Sequence, residues 1–214
     1  MRRSKYWILL AVTGGLFVGW FVSPNPVQAL TTQATVQLTR KSESSVVNPI
    51  VKPPTTATST GSKDSLTIDV VSDLQFQTQA TTQASTLLPT VSAVMVQVSD
   101  RRAQPSGWQL TVRPSGLSQG SKVLQSQLQW PIDGDLRTTN GNVSRPPRQV
   151  SPGKLINRQA NPLLVAKTGQ GLESWALVMP TKTAPVSLRL PAQNLTAGRY
   201  RGTLVWQLVS APID

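Results

Sequence analysis

The sequence predicts an all-β protein, a β-sandwich with immunoglobulin-like or related Greek-key connections. From residue 64 onwards, short runs of alternating apolar and polar residues recur between turn signals. Side chains of a strand point alternately to its two faces, so a period of two is typical of a half-buried sheet. Val, Thr, Ser and Gln are abundant and no amphipathic helix stands out. Roughly seven to nine such runs in about 150 residues fit a sandwich.

The alternating runs can be placed one after another along the chain. They cover residues 66–70, 93–98, 107–113, 123–130, 163–166, 174–179, 186–190 and 200–208. In the third run, Trp108, Leu110 and Val112 share one face. In the last run, Trp206 and Leu208 share a face in the same way. The predicted core therefore rests on Val, Leu and a few Trp, because Phe and Tyr are scarce in this part of the chain.

Residues 1–29 are predicted to be a secretory signal peptide. A basic start is followed by an uncharged, largely apolar run at residues 6–22, by two prolines and by a small-residue cleavage site that ends at Ala29. The competing interpretation is a retained membrane anchor, because a run of this length just spans a bilayer that thins locally. We predict export, cleavage after Ala29 and no stable membrane span after cleavage.

The segment that follows, residues 30–63, is rich in Thr, Ser, Gln and Pro and poor in large apolar residues. Such a composition buries too little apolar surface to offset the entropy lost on ordering. We predict a disordered linker at residues 30–63, followed by one folded domain at residues 64–214. A contact segment for a wall polymer is the alternative interpretation of the linker.

Composition and charge narrow the range of functions. The chain has no Cys and no His, which excludes disulfides, a Cys nucleophile, a Ser-His-Asp triad and ordinary zinc sites. We therefore expect no cofactor, no metal and no catalytic residue. The net charge is +12, from 21 Lys and Arg against 9 Asp and Glu, and it favours an anionic partner. Export argues against nucleic acid as that partner.

Residues 136–158 form a basic stretch that contains no acid. Asn-Gly, Pro-Pro and Pro-Gly pairs predict a long loop there. Its cations are candidate contacts for anionic polymers: Arg137, Arg145, Arg148, Lys154 and Arg158. Arginine suits this task because it forms forked contacts with carboxylates and phosphates. The alternative is a solvated surface that keeps the protein soluble.

Two Trp-x-Leu triplets stand out, Trp108-Gln109-Leu110 and Trp206-Gln207-Leu208. The sequence Val-Ser-Asp-Arg at residues 98–101 precedes the first triplet, and a Tyr-led strand ending in Ala-Pro surrounds the second. This arrangement resembles the WxL domain of cell-surface proteins from low-GC Gram-positive bacteria, over residues 64–214. The short chain is similar to the small class of that family. The resemblance implies export, noncovalent attachment to the wall through peptidoglycan, and assembly with companion surface proteins.

The candidate wall-binding motif consists of Trp108, Leu110, Trp206 and Leu208. Two interpretations stay open. Large apolar residues in register on strands are usually buried in a core, whereas an indole exposed in a groove can stack on the apolar face of a sugar ring. Just before the first triplet, Asp100 and Arg101 are expected either to form a surface ion pair of little energetic weight or to fix the turn.

The sequence therefore predicts a secreted surface protein that attaches noncovalently to the cell wall, as an attachment module or as a subunit of a surface complex. Peptidoglycan is the expected ligand, helped by anionic polymers such as teichoic acid because the chain is strongly basic. The alternative is an adhesin-like subunit whose main partner is another surface protein or a host matrix protein. An exported wall hydrolase is the third hypothesis, for which we expect no activity in zymography.

Overall fold

The computed structural model describes residues 45–78, 84–104, 106–150, 153–194 and 196–210, all of which belong to one unit, Arg40–Asp214. The predicted signal peptide and residues 30–44 of the predicted linker lie outside the described residues. The described ranges contain no candidate membrane-spanning helix.

All the regular secondary structure in the described residues consists of β-strands. The strands are β1 (Ala57–Ser59), β2 (Leu66–Ser72), β3 (Thr86–Pro89), β4 (Val94–Asp100), β5 (Trp108–Pro114), β6 (Leu117–Gln119), β7 (Lys122–Leu124), β8 (Gln127–Gln129), β9 (Asp135–Thr138), β10 (Arg148–Gln149), β11 (Lys154–Leu155), β12 (Asn161–Ala166), β13 (Glu173–Met179), β14 (Ser187–Leu190) and β15 (Leu204–Ser210). The predicted all-β class is confirmed.

The strands form three larger antiparallel sheets and one hairpin. Sheet I has the order β1-β2-β4-β13-β9, sheet II the order β10-β12-β5-β15 and sheet III the order β11-β8-β14-β3, while β6 pairs with β7. One continuous core joins sheet I to sheets II and III, with Val96 from β4, Leu110 from β5 and Leu188 from β14 among its buried members. Sheets that share a core in this way form a sandwich-like arrangement.

Each alternating run predicted from the sequence contains a strand, although the central strand β4 is buried at every residue rather than at alternate ones. On β5, Trp108, Leu110 and Val112 are fully buried, whereas Arg113 is exposed. The run at residues 123–130 is divided into β7 and β8 by a short break. Strands that the sequence did not reveal are two to four residues long, too short to show a period: β1, β3, β6, β9, β10 and β11.

Part of the range predicted as linker covers the outer face of sheet I. The backbone N–H of Ile50 donates to Gln97 Oε1 (2.9 Å), and Gln97 Nε2 donates to the carbonyl of Asn48 (3.1 Å). Further along, β1 adds an edge strand to sheet I. The apolar contacts of this segment join Ile50, Val51 and Ala57 to Val70, Met95 and Ala176. Composition did not reveal this packing, because the few apolar residues involved are dispersed among polar ones.

A buried carboxyl group lies on the same outer face of sheet I. Asp69 is 3% exposed, and its Oδ2 accepts hydrogen bonds from Gln97 Nε2 (3.0 Å) and Ser99 Oγ (2.6 Å). Its Oδ1 has no hydrogen-bond partner among the described residues. Burial raises the pKa of Asp69 above its ordinary value of 3.8, and the hydrogen bonds from Ser99 and Gln97 oppose that shift without cancelling it.

We expect Asp69→Asn to make the stability of the protein less dependent on pH. A carboxyl whose pKa is raised by folding contributes stability that is complete below its ordinary pKa and is lost as the pH rises through the folded pKa. Asparagine keeps an oxygen for Gln97 and Ser99 but carries no charge. In urea unfolding from about pH 3.5 to about pH 7, the stability of the variant relative to the wild type should rise and then level off. A constant difference would contradict the raised pKa.

Candidate functional site

The two Trp-x-Leu triplets, which are far apart in the sequence, lie on neighbouring strands of sheet II. Strand β15 runs antiparallel to β5, with Leu208 opposite Leu110 and Trp206 opposite Val112. The Trp and Leu of each triplet are two positions apart, so their side chains point to the same face of the sheet. The fold thus brings the residues of the predicted motif together on the core side of sheet II.

Trp108 of the first triplet is a core residue. It is 0% exposed, as is Leu110, and its Nε1–H donates to the carbonyl of Gly171 at 3.1 Å. Gly171 has φ +66°, and a Cβ at this position would lie 2.9 Å from the indole nitrogen of Trp108 and 2.7 Å from the Cβ of Ala166. Of the two interpretations of the motif, the first triplet therefore follows the one in which large apolar residues hold the core.

Trp206 of the second triplet is only half-buried. Its ring meets that of the buried Trp130 edge-on, with centroids 6.1 Å apart and planes at 71°, a preferred arrangement for aromatic pairs. Leu208, also half-buried, packs against the same core. The second triplet is thus fixed by the core on one side and reaches the surface on the other.

Trp206 lines an open cleft of about 1460 Å³, which we call the Trp206 cleft. Its floor consists of leucines from sheet III and its neighbours, and its walls are two irregular segments, residues 73–78 and 196–203. The leucines and aromatic residues that line it are Leu74, Phe76, Leu88, Leu117, Leu124, Leu128, Leu188, Leu190, Tyr200, Leu204 and Trp206.

The wall formed by residues 196–203 is held against β6 by backbone hydrogen bonds. The backbones of Arg201 and Ser118 exchange two of them, each 2.9 Å long. The side chain of Ser115 accepts from the N–H of Thr203 at 2.9 Å. A Cβ at Gly202 would collide with the carbonyl of Gly116, so glycine is what allows this close approach.

The wall formed by residues 73–78 is held by backbone hydrogen bonds to the residues at the end of β3 and just after it. Gln77 donates to the carbonyl of Pro89 (3.1 Å), and Val91 donates to the carbonyl of Gln75 (2.8 Å). Phe76 and Thr90 form an isolated antiparallel bridge between these bonds. Both walls of the Trp206 cleft are therefore fixed by backbone bonding, although neither contains a strand. Only residues 200–203 of the two walls belong to a run that the sequence predicted as a strand.

The cleft combines aromatic and cationic groups. Tyr200 and Phe76 are half-buried in its two walls, and Arg199 and Arg201 are exposed beside Tyr200. Within the described part of the chain, no carboxylate pairs with either arginine. Such a surface can stack on apolar faces of a ligand and at the same time bind its anionic groups.

The five basic residues predicted as polymer contacts are exposed, and three of them lie on three different sheets. The structure places Arg137 on β9 of sheet I, Arg148 on β10 of sheet II and Lys154 on β11 of sheet III. The predicted long loop at residues 136–158 is thus corrected to short strands joined by turns, because its segments extend three separate sheet edges. Arg158 lies in a turn, and Arg145 forms an isolated parallel bridge with Gln170.

One of these five cations already has an anionic partner. The Nε of Arg137 donates to Asp135 Oδ2 at 2.9 Å, and its Nη2 contacts the same oxygen. This bond raises the pKa of Arg137 above its ordinary value. Asp135 lies one residue outside the stretch that the sequence shows as free of acids, so Arg137 is a weaker candidate for polymer contact than the other four.

The predicted surface pairing of Asp100 with Arg101 is wrong. Asp100 is 0% exposed and accepts two hydrogen bonds from the side chain of Arg102, to Oδ1 and to Oδ2, both at 2.8 Å. Arg101 instead donates to the carbonyls of Ser45 (2.9 Å) and Asp64 (2.8 Å). Residues two apart at a strand end share a side of the chain, so Asp100 reaches Arg102 rather than Arg101.

Arg102 connects three parts of the chain around its carboxylate partner. Besides Asp100, it donates to the carbonyl of Gly107 at 2.8 Å and to Ser106 Oγ at 3.1 Å, and it contacts Ser210 Oγ at the end of β15. The bond to Asp100 raises the pKa of Arg102 above its ordinary value. The alternative prediction, that Asp100 and Arg101 fix the turn, holds for Asp100 but with half-buried Arg102 as its partner, since Arg102 bonds both Asp100 and Gly107 between β4 and β5.

The fold and the cleft define the class of protein: an antiparallel, sandwich-like β-protein with an open cleft lined in part by aromatic residues. Within the described residues, no three acidic side chains gather as they do around a metal ion. A family model described as "WxL domain surface cell wall-binding" matches residues 25–212. Because that match covers most of the chain, the protein belongs to the WxL family of surface cell wall-binding domains. Comparison with curated proteins and with solved structures gives no significant match.

Proposed function

We propose that the protein attaches noncovalently to the cell wall by holding a wall polymer in the Trp206 cleft. The family assignment supports wall binding at the cell surface. The observation that carries the choice of site is that Trp206 of the second triplet, unlike the buried Trp108 of the first, lines an open cleft. In this proposal the first triplet stabilises the sheet that supports the second, and binding involves no catalysis.

Peptidoglycan is the ligand that the chemistry of the cleft favours. Tyr200 and Trp206 offer aromatic surface for the apolar faces of sugar rings. Arg199 and Arg201 offer forked donors for the carboxylates of peptidoglycan, and equally for the phosphates of teichoic acid. Charge-assisted hydrogen bonds of this kind contribute about 1.5–3 kcal/mol each.

The other exposed cations of the chain add long-range attraction to an anionic wall. Exposed charges attract over distances of about 8–10 Å at physiological ionic strength and are screened beyond that range. Wall binding should therefore weaken as salt is added, while the stacking contribution persists. The structure favours no particular companion protein or host matrix protein, and capture of such a partner with little binding to bare walls would support the adhesin-like alternative instead.

We expect Arg199→Gln/Arg201→Gln to reduce binding to purified cell walls by at least about tenfold, which corresponds to one lost charge-assisted bond. The matched control is Arg148→Gln/Lys154→Gln, which removes the same charge from exposed positions outside the cleft. The control should reduce binding by less than about threefold, because it alters only screened attraction. Sedimentation with walls that contain or lack teichoic acid measures both variants and distinguishes phosphate from carboxylate recognition.

Two results would overturn the cleft as the binding site. The first is an equal loss of binding in the two variants, which would indicate a general charge effect. The second is unchanged binding in Tyr200→Ala combined with the Arg199 and Arg201 changes. The hydroxyl of Tyr200 donates to the carbonyl of Thr196 at 3.1 Å, so circular dichroism of each variant should confirm that the fold is intact.

A further inference from the structure

Strand β15 has one edge that no other strand of the described residues covers. In sheet II it pairs with β5 over its whole length, and the described residues contain no strand that pairs with its other side. An open edge presents unpaired backbone N–H and C=O groups that can bind another strand. At seven residues, β15 is also the longest edge strand of the three large sheets in the described part of the chain.

The other described sheet edges carry the protection that proteins commonly use. Charged side chains occur on β9 (Asp135 and Arg137), β10 (Arg148) and β11 (Lys154), Pro89 ends β3, and β1 has only three residues. Short length, charge and proline all disfavour pairing with another chain. Strand β15 has the sequence Leu-Val-Trp-Gln-Leu-Val-Ser, without charge, proline or glycine.

The backbone groups at the open edge can be assigned from the ladder. Ser115 donates to the carbonyl of Thr203 at 2.9 Å, so Thr203 directs its carbonyl towards β5. Hydrogen-bonding groups of an antiparallel strand alternate between its two sides. Leu204, Trp206, Leu208 and Ser210 therefore direct their backbone groups towards the open edge.

The side chains of β15 are arranged symmetrically about Gln207. Val205 and Val209 flank it on the outer face and are 45% and 40% exposed. On the inner face, Trp206 and Leu208 occupy the equivalent positions. An antiparallel partner of the same sequence, centred on Gln207, would therefore match Val with Val outside and Trp with Leu inside.

We propose that two copies of the protein pair through β15, joining two copies of sheet II into one continuous sheet around a two-fold axis. Trp206 of one copy would then exchange hydrogen bonds with Leu208 of the second, and the two Gln207 residues would face each other. The self-matching sequence and the absence of charge select a second copy over a charged partner. The pairing also places two Trp206 clefts in one particle, which strengthens binding to a repeating polymer by raising the effective concentration.

Gln207→Cys tests the pairing directly, because the chain has no cysteine. Facing residues in a non-hydrogen-bonded antiparallel pair have Cα atoms about 4.5 Å apart, a separation that a disulfide can bridge. Mild oxidation should convert most of this variant to a disulfide-linked dimer. The control Val123→Cys, at a position that is 72% exposed on β7, should stay largely monomeric.

Sedimentation equilibrium gives the second test. The wild type should form dimers whose association strengthens with salt, since both copies are basic, whereas wall binding should weaken with salt. Val205→Lys/Val209→Lys should shift the protein to the monomer, with circular dichroism confirming the fold. A wild type that is monomeric up to its solubility limit, or equal cross-linking at positions 207 and 123, would overturn the pairing. So would a dimer that persists in the lysine variant.

Discussion

Replacing Trp108 by alanine is expected to lower the free energy of unfolding by about 3–5 kcal/mol, the usual cost of removing a fully buried large aromatic side chain. The indole has no exposed surface and packs against Gly171, whose missing Cβ leaves the space that the ring needs. Truncation would leave a cavity beside a rigid turn and an unpaired carbonyl at Gly171. Urea unfolding followed by circular dichroism measures the change.

The matched comparison is Trp206→Ala, which removes the same side chain from the second triplet. Trp206 is half-buried, so its replacement should cost less stability but more wall affinity among molecules that remain folded. A Trp108→Ala protein that stays as stable as the wild type while losing wall binding would contradict a core role for the first triplet. Measuring stability and wall binding in both variants thus distinguishes the role of Trp108 from that of Trp206.

The sequence predicted the fold well where burial imposes a repeating pattern. Strand β5 shows why: alternate residues Trp108, Leu110 and Val112 are fully buried on the core face, and Gln109 and Thr111 point to the opposite face. A period of two can be recognised over such a length. Strands of two residues, such as β10 and β11, are held only by their neighbours in the sheet and carry no pattern of their own.

The sequence predicted the candidate site only in part. The second triplet was recognisable, but the Trp206 cleft depends on two irregular walls whose positions come from backbone bonds to Ser118 and Pro89. Such contacts are not encoded in any spacing along the chain. Arg201-Gly202 is a signal that could have indicated this wall, because an exposed cation stands beside a glycine that lies against the backbone of Gly116.

The two triplets of the motif differ in how much of each tryptophan is buried. Identical Trp-Gln-Leu sequences occur on neighbouring strands, yet the central strand β5 is covered on both sides and β15 forms an edge. Position in the sheet, rather than residue type, decides how much of each indole reaches solvent. The exposure of a tryptophan in a short motif of this kind therefore cannot be predicted until the strand order is known.

Arg102→Ala is the second change for which we expect a large effect, a loss of about 3–5 kcal/mol in the free energy of unfolding. Asp100 has no exposed surface, and removal of its partner leaves a buried charge without compensation, which costs this much in other proteins. The variant also loses the bonds to Gly107 and to Ser210 at the end of β15. Thermal and urea unfolding give the magnitude, and Arg137→Ala, which disrupts an exposed pair, should leave stability nearly unchanged.

The double variant Asp100→Ala/Arg102→Ala separates the charge from the connections that Arg102 makes. If the stranded carboxylate dominates, removing both groups should restore part of the stability lost in Arg102→Ala, because no buried charge is then left unpaired. If the bonds to Gly107 and Ser210 dominate, the double variant should be as unstable as the single one. In that second outcome the end of β15 should also be less stable. The backbone N–H of Val209 should then exchange with solvent faster than in the wild type, and equally fast in the single and the double variant.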